Sequence, residues 1–319
     1  MPVTSQENDS PVAAPGGTAK LAGRTVARIG FGAMQLALQP ADRGAALAIL
    51  RQAVQAGVNH LDTADFYGSC NALIRDALGP YPDELVLVTK VGAARDADGQ
   101  LVPAQRPDQL RDQVEANLAT LGVEQVDVVN LRRLDAPPGL IADGDQRVSL
   151  DDQLAELSAL RDAGKVGAIG LSSVSAGQLR QGLPAGIACV QNSYSVLNRA
   201  AEPVLQLCRE HGIAWVPFFP LGSASRNLPK PTDDPTVTAI AADMGARPAQ
   251  VALGWLLAHY DNTLLIPGTA NPAHLAENIA AGNLRLSPAS RAALDQLEEC
   301  WHARSGRAVR DPGARGGAG

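Results

Sequence analysis

At 319 residues, with 45% hydrophobic and 19% charged side chains, the chain can bury a large core behind a water-compatible surface, in one domain if that domain is an α/β barrel. A formal net charge of −6, with no block of Lys and Arg interleaved with aromatics, excludes a nucleic-acid partner, and no apolar run approaches the ~18 residues of a membrane span. The four cysteines, Cys70, Cys189, Cys208 and Cys300, are scattered without CxxC pairs or His at ligand spacing, and no basic-then-apolar leader opens the chain, so free thiols, no metal and a cytoplasmic location are expected.

Residues 1–19 and 304–319 are rich in small residues and are expected to be disordered tails around one domain, 20–303. Lys20 to Gly30 alternates polar and apolar residues and turns at Ala22-Gly23-Arg24, which predicts a hairpin ahead of a barrel, plugging its bottom. Arg43 to Ala56 carries Leu47, Leu50 and Val54 at helical spacing and is stopped by Gly57. Short apolar runs follow at His60-Leu61-Asp62, Leu85–Val91, Val126–Leu131, Val166–Leu171, Ala188–Gln191, Ala214–Phe219 and Thr263–Pro267, with a weaker eighth at Asn283–Leu286. Such runs read as buried parallel strands. Helical segments lie between them, as at Pro107–Leu121, where Leu110, Val114, Leu118 and Leu121 form a stripe ended by Gly122. Ser223 to Asp234 reads as one long loop.

Repeated strand–helix units imply a closed barrel or a doubly wound open sheet. An open nucleotide-binding sheet would carry G-x-G-x-x-G after its first strand; the nearest match, Gly30-Phe-Gly32, has Gln35 where the third glycine belongs. The fold class is therefore expected to be a (β/α)8 TIM barrel with a short N-terminal hairpin.

In such a barrel the C-terminal strand ends face the active site. Asp62, Lys90 and Arg132 end successive strands, and Tyr67 follows Asp62 in the loop Asp62-Thr-Ala-Asp-Phe-Tyr67-Gly68. Reducing a carbonyl needs a proton on oxygen as hydride reaches carbon, and a phenol is a weak acid at neutral pH. An ammonium at Lys90 would stabilise the phenolate, and Asp62 would hold the lysine by a charge-assisted bond. Taken singly, Asp62 could cap a helix, Tyr67 could be a loop aromatic and Lys90 could snorkel to solvent. Their joint placement on strand ends favours chemistry.

The runs Gly30-Phe-Gly-Ala-Met-Gln35, His60 to Gly68, Val88-Thr-Lys90, Gly170-Leu-Ser-Ser173, Val190-Gln-Asn192, Pro217 to Gly222, and Ile266-Pro-Gly268 with Glu277-Asn278 span residues 20–300 in order. Together they resemble the aldo-keto reductase superfamily. The resemblance implies NADP(H) bound in extended form across the C-terminal face, with Asp62, Tyr67 and Lys90 matching the catalytic aspartate, tyrosine and lysine. The family's usual histidine is replaced by Arg132. Arginine does not titrate near pH 7 and relays no proton, but it donates several hydrogen bonds and adds fixed positive charge, which suits an oxygen-rich substrate. This arginine strand, with Gly-Ala-Met-Gln and Val-Pro-Phe-Phe-Pro-Leu-Gly, is similar to that of pyridoxal-reducing bacterial members, and the 3-hydroxyl beside the aldehyde of pyridoxal would meet a cation.

For the cofactor, the resemblance places nicotinamide-amide contacts on Ser172, Ser173 (usually asparagine) and Gln191, and stacking on Phe218, where tyrosine is usual. Further contacts fall on Met34, Pro220, Leu221, Gly222, Ile266 and Gly268. Thr269 and Asn271 lie ahead of a helix starting near Pro272 and would meet the adenosine phosphate, while Glu277 and Asn278 match adenine contacts. Many NADP-preferring relatives carry Lys or Arg in that loop; NADP(H) is nonetheless the expected cofactor. The expected activity is NADPH-dependent reduction of a small aldehyde or ketone, pyridoxal-like by preference, with a small-molecule carbonyl as the partner. The alternatives are a keto-sugar or other biosynthetic ketone reductase, decided by loops 92–108, 133–150 and 223–235, and a non-catalytic nicotinamide-sensing subunit, which would not need both Tyr67 and Lys90.

Overall fold

A computed structural model describes residues 13–38, 42–135, 139–223 and 228–297; the expectations for 1–12 and 304–319 lie outside them. The N-terminal hairpin pairs β1 (Thr18–Leu21) with β2 (Arg24–Ala27) in antiparallel register. Its two-residue turn uses left-handed backbone at Ala22 (φ 49°) and Gly23 (φ 79°), the twist that matches a tight hairpin. Leu21 and Val26 pack with Val86, Val88, Val128, Cys189, Ala214, Val216 and Leu264, so the hairpin closes the bottom of the barrel interior.

The folded body begins earlier than residue 20. β1 starts at Thr18, and the preceding segment is tied down by Ile29 N donating to Pro15 O at 3.0 Å and Arg28 N to Gly17 O at 2.9 Å. These main-chain bonds order a stretch whose composition alone reads as tail.

The barrel staves are β3 (Phe31–Gly32), β4 (His60–Asp62), β5 (Val86–Val91), then, beyond a small hairpin of β6 (Ala93–Arg95) and β7 (Leu101–Pro103), β8 (Val126–Arg132), β9 (Val166–Ser172), β10 (Ile187–Gln191) and β11 (Ala214–Trp215). Hydrogen bonding runs β3-β4-β5-β8-β9-β10-β11, every pair parallel. Residues 263–265 fill the gap between the two edges through parallel bridges Trp215↔Thr263 and Ile29↔Leu265. Leu264 N donates to Trp215 O (2.8 Å) and Gly30 N to Leu265 O (2.7 Å), so the barrel is closed by eight staves.

Two strand assignments need correction. The first stave is 29–32, not 60–62, and Asn283–Leu286 is no strand: Ala281–Asn283 is a 3-10 turn. Leu284 instead packs on a helix, where a Cβ at Gly254 would stand 3.0 Å from its Cδ2. Leu284 and Leu286 both pack against the core without belonging to a strand, while stave 29–32 is too short and glycine-rich to show an apolar run.

The outer layer comprises α1 (Met34–Leu38), α2 (Arg43–Gln55), α3 (Cys70–Leu78), α4 (Pro107–Leu121), α5 (Leu150–Asp162), α6 (Ala176–Gly182), α7 (Glu202–His211), α8 (Pro235–Asp243), α9 (Pro248–His259), α10 (Pro272–Ala280) and α11 (Pro288–Asp295). Proline in the first turn starts six of them (α4, α7, α8, α9, α10 and α11), where a missing N–H costs nothing. α4 buries Leu110, Val114, Leu118 and Leu121 as their spacing dictates and stops at Gly122 in left-handed conformation (φ 72°). α2 buries Ala46, Ile49, Leu50 and Ala53, with Leu47 and Val54 at the margin of the contact, a stripe turned slightly from the expected one.

Residues alternate faces along β4, so His60 shares the face of Asp62. Its imidazole is buried, with no hydrogen-bond partner for either nitrogen among the described residues. A Cβ at Gly30 would stand 2.2 Å from His60 Nε2, which is why the chain has glycine there. Burial disfavours the imidazolium and holds the His60 pKa at about 4. The native state thus keeps His60 neutral while the unfolded chain takes up a proton below pH ~6.5. The stability this confers is complete above that value and is lost as pH falls toward about 4. Relative to His60→Leu, the wild type should lose about 3 kcal/mol across that window. Urea unfolding of both proteins at several pH values measures it; parallel pH curves would sink the idea.

Candidate active site

The parallel register brings the predicted polar residues to the C-terminal ends of adjacent staves. Gly32 pairs Asp62, Lys90 pairs Asn130, Arg132 pairs Ser172, and Ser172 pairs Gln191. Asp62 and Lys90 are buried, at 4% and 6% exposure, and are ion-paired. The second carboxylate oxygen of Asp62 accepts from Gln191 Nε2 at 2.7 Å, and Lys90 Nζ also donates to Thr63 O at 3.2 Å. Burial alone would push the Lys90 ammonium down; the charges and hydrogen bonds of Asp62 and Tyr67 outweigh it and raise the pKa above the ordinary lysine value. Lys90 is therefore a buried cation throughout the neutral range.

Tyr67 sits on the 3-10 turn Asp65–Tyr67, its ring centroid 5.1 Å from Lys90 Nζ. The turn is fixed by Tyr67 N donating to Ala64 O (3.1 Å) and by left-handed Gly68 (φ 66°). A buried polar chain runs beneath it: Thr63 Oγ1 to Asn71 Oδ1 (2.8 Å), Asn71 Nδ2 to Asn117 Oδ1 (3.0 Å) and Thr89 Oγ1 to the same oxygen (2.6 Å). Burial pushes the Asp65 carboxyl up to about 6, against hydrogen bonds from the backbone and Asn117. Phe66 packs edge-on to Tyr67, with ring centroids 5.1 Å apart, and joins Ala64, Ala93, Leu101 and Leu140 in an apolar wall. Arg132 is half-buried, its guanidinium carbon 5.9 Å from the centroid of Phe66. Asp62, Tyr67, Lys90 and Arg132 thus occupy one mouth.

The residues expected to hold a cofactor lie on that same barrel end. Ser172 and Gln191 are buried at the ends of β9 and β10, and Ser173 takes left-handed backbone (φ 60°), its N–H bonded to Gln191 O at 2.9 Å. Asn192, which the run Val190-Gln-Asn192 includes without a role of its own, pins this turn through the backbone of Val174: Val174 N donates to Asn192 Oδ1 (3.0 Å) and Asn192 Nδ2 to Val174 O (2.7 Å). Phe218 follows β11, edge-on to Phe219 at 5.2 Å, and leads into Pro220, Leu221 and Gly222. Met34 opens α1 beside the first stave. Ile266 and Gly268 follow the last stave, and Gly32 and Gly268 permit a mutual backbone approach: a Cβ at Gly268 would stand 2.1 Å from Gly32 O, and one at Gly32 2.6 Å from Ile266 O. Thr269 Oγ1 accepts from Asn271 N (3.0 Å), and Asn271 caps α10 by accepting from Ala273 N (2.8 Å). Glu277, ion-paired with Arg247 at 3.2 Å, and buried Asn278 lie further along α10.

Sequence reasoning missed Phe66 as part of the pocket wall and Gln105 as a buried neighbour of Arg132. A lone aromatic after Asp65 and a glutamine ahead of a helix carry no periodic signal. Among the described residues no group of three or more His, Cys, Asp or Glu is placed to hold a metal, and no helix is long and apolar enough to cross a membrane.

Comparisons with known proteins show a family and a fold. The profile described as the Aldo/keto reductase family matches residues 28–299. The chain is 43% identical to pyridoxine 4-dehydrogenase of Escherichia coli over 288 residues, 88% of this chain and 98% of that protein. It is 34% identical to an uncharacterized oxidoreductase of Schizosaccharomyces pombe, covering 89% and 90% of the two chains. Among solved structures, an aldo/keto reductase of Klebsiella pneumoniae in complex with NADP and acetate is similar with a TM-score of 0.74 at 24% identity, over 88% of this chain and 95% of that one.

Proposed function

The chain belongs to the aldo/keto reductase family, and from that premise we propose that it is an NADPH-dependent reductase of small aldehydes, pyridoxal-like ones by preference, with Tyr67 as the proton donor. The observation that carries the reading is the buried Lys90–Asp62 pair beside Tyr67. The residues present fit a nicotinamide. Gln191 Oε1 is buried with no hydrogen-bond partner among the described residues while its Nε2 is committed to Asp62, so a carboxamide oxygen is left to receive an amide N–H. Ser172, Ser173 and Gln191 would hold the nicotinamide amide, Phe218 would stack on its ring, and Met34, Pro220, Leu221, Gly222, Ile266 and Gly268 would line its path. Thr269 and Asn271, at the N-terminus of α10, would take the adenosine phosphate, with Glu277 and Asn278 at the adenine. NADPH supplies the hydride.

Tyr67 then gives its phenolic proton to the substrate oxygen. Lys90 stabilises the phenolate left behind, and Asp62 keeps Lys90 charged and oriented. Arg132 exchanges no proton but adds fixed positive charge at the mouth, beside the aromatic face of Phe66. That pairing suits a flat aromatic aldehyde carrying an acidic oxygen, and the 43% relative named for pyridoxine supports it.

The test compares 2-hydroxybenzaldehyde with benzaldehyde, and pyridoxal with both, by NADPH absorbance. Arg132→His should cut the preference for the hydroxyl-bearing aldehydes by about tenfold to a hundredfold, the value of a hydrogen bond to a charged group. Equal kcat/KM ratios in wild type and variant would remove Arg132 from substrate choice.

A further inference from the structure

The β5–β8 ladder ends at the pair Val91↔Leu131. One residue further on, the carbonyls of Gly92 and Arg132 share one donor: Gln105 Nε2 reaches Gly92 O at 2.6 Å and Arg132 O at 2.8 Å. Gln105 is only 1% exposed. It is itself held, because Gln153 Nε2 donates to Gln105 O (2.7 Å) and Oε1 (3.0 Å), and Gln105 N donates to Gln146 Oε1 (2.8 Å). Gln153 in turn accepts from Arg133, which is ion-paired with Asp135 at 2.7 Å.

Gly92 shows how tight the arrangement is. Its backbone is left-handed (φ 106°), and a Cβ there would stand 2.5 Å from Arg132 O and 2.6 Å from Gln105 Nε2. The Phe66 side of the mouth is tied to the same excursion of chain: Arg95 Nε donates to Phe66 O at 2.8 Å, and Leu101 packs against the cluster of Ala64, Phe66 and Ala93. Residues 92–105 therefore hold Phe66 near one end and Arg132 at the other.

We propose that Gln105 is a positioning residue for Arg132: its side-chain amide fixes the exit of β8, and so sets where the guanidinium stands over Phe66 and how well the enzyme prefers an aldehyde bearing an acidic oxygen. The proposal rests on Arg132 reading the substrate. A glutamine is suited to the task because its two N–H donors serve two carbonyls at once while its oxygen accepts from Gln153, leaving no buried amide atom idle.

The experiment is a double-mutant cycle on the full-length protein, with the ratio of kcat/KM for 2-hydroxybenzaldehyde over benzaldehyde as the readout and the melting temperature recorded alongside. Gln105→Met should lower that ratio by about tenfold with benzaldehyde turnover little changed, and in an Arg132→Ala background it should lower it no further. Equal losses with both aldehydes, or additive effects in the two backgrounds, would overturn the proposal and leave Gln105 a packing residue. Should Gln105→Met not fold, Gly92→Ala displaces the same carbonyls with the amide retained and should lower the ratio likewise; an unchanged ratio again overturns it. An Arg132→Ala variant with wild-type preference is a different failure, which removes the role of Arg132 in substrate choice itself.

Discussion

Tyr67→Phe is expected to lower kcat/KM for every carbonyl substrate by about 10² to 10⁴, the contribution of a positioned general acid. The substitution removes one oxygen and nothing else: the ring keeps its edge-on contact with Phe66 and its place against the cluster of Ala64, Phe66 and Ala93. Melting temperature should therefore stay close to that of the wild type, and NADPH should still quench protein fluorescence. A variant that retains more than about a tenth of wild-type turnover would show that the proton comes from elsewhere. A variant that binds no NADPH would point to a packing role for the hydroxyl. The same pair of measurements separates a reductase from a sensing subunit, because a sensor would bind NADPH in both forms and turn over in neither.

Asp62→Asn is expected to have the largest effect on stability. It leaves Lys90, 6% exposed, as a buried ammonium without its counter-charge, and breaking such a pair costs about 3–5 kcal/mol. An asparagine cannot satisfy both neighbours, because Lys90 Nζ and Gln191 Nε2 are both donors and one of them must face an amide NH₂. With Asp62 gone, the burial that Asp62 and Tyr67 now overcome would push the Lys90 pKa down, so turnover should fall as well. Replacing both members, Asp62→Asn with Lys90→Met, should recover much of the lost stability and none of the activity, since an apolar stem of similar length needs no counter-ion. Thermal unfolding and kcat/KM of the two single variants and the double decide it: losses of stability that simply add would mean the pair is not coupled.

The chain by itself determined the class of fold and the four residues at its mouth. Apolar runs recurring between helical stripes read as parallel staves because a stave buried on both faces has no room for polar alternation, and 86–91, 126–132 and 166–172 stand where those runs predict. Asp62, Lys90 and Arg132 were legible because each interrupts an apolar run at its end, where water-seeking groups have no structural reason to cluster. The stave at 29–32, across which the barrel closes, was not legible. Stave 29–32 and segment 263–265 are short, and their place is fixed by bonds to each other across more than two hundred residues, such as Gly30 N to Leu265 O. Nor did local pattern reveal the wall of Phe66, Leu101 and Leu140, the glycine pair Gly32 and Gly268, or the hold of Gln105 on Arg132 O. Spacing along the chain encodes which face of an element is buried, because burial repeats with the element's own period. Which buried donor meets which acceptor depends on atoms brought within 3 Å from distant elements, and only the tertiary structure decides that.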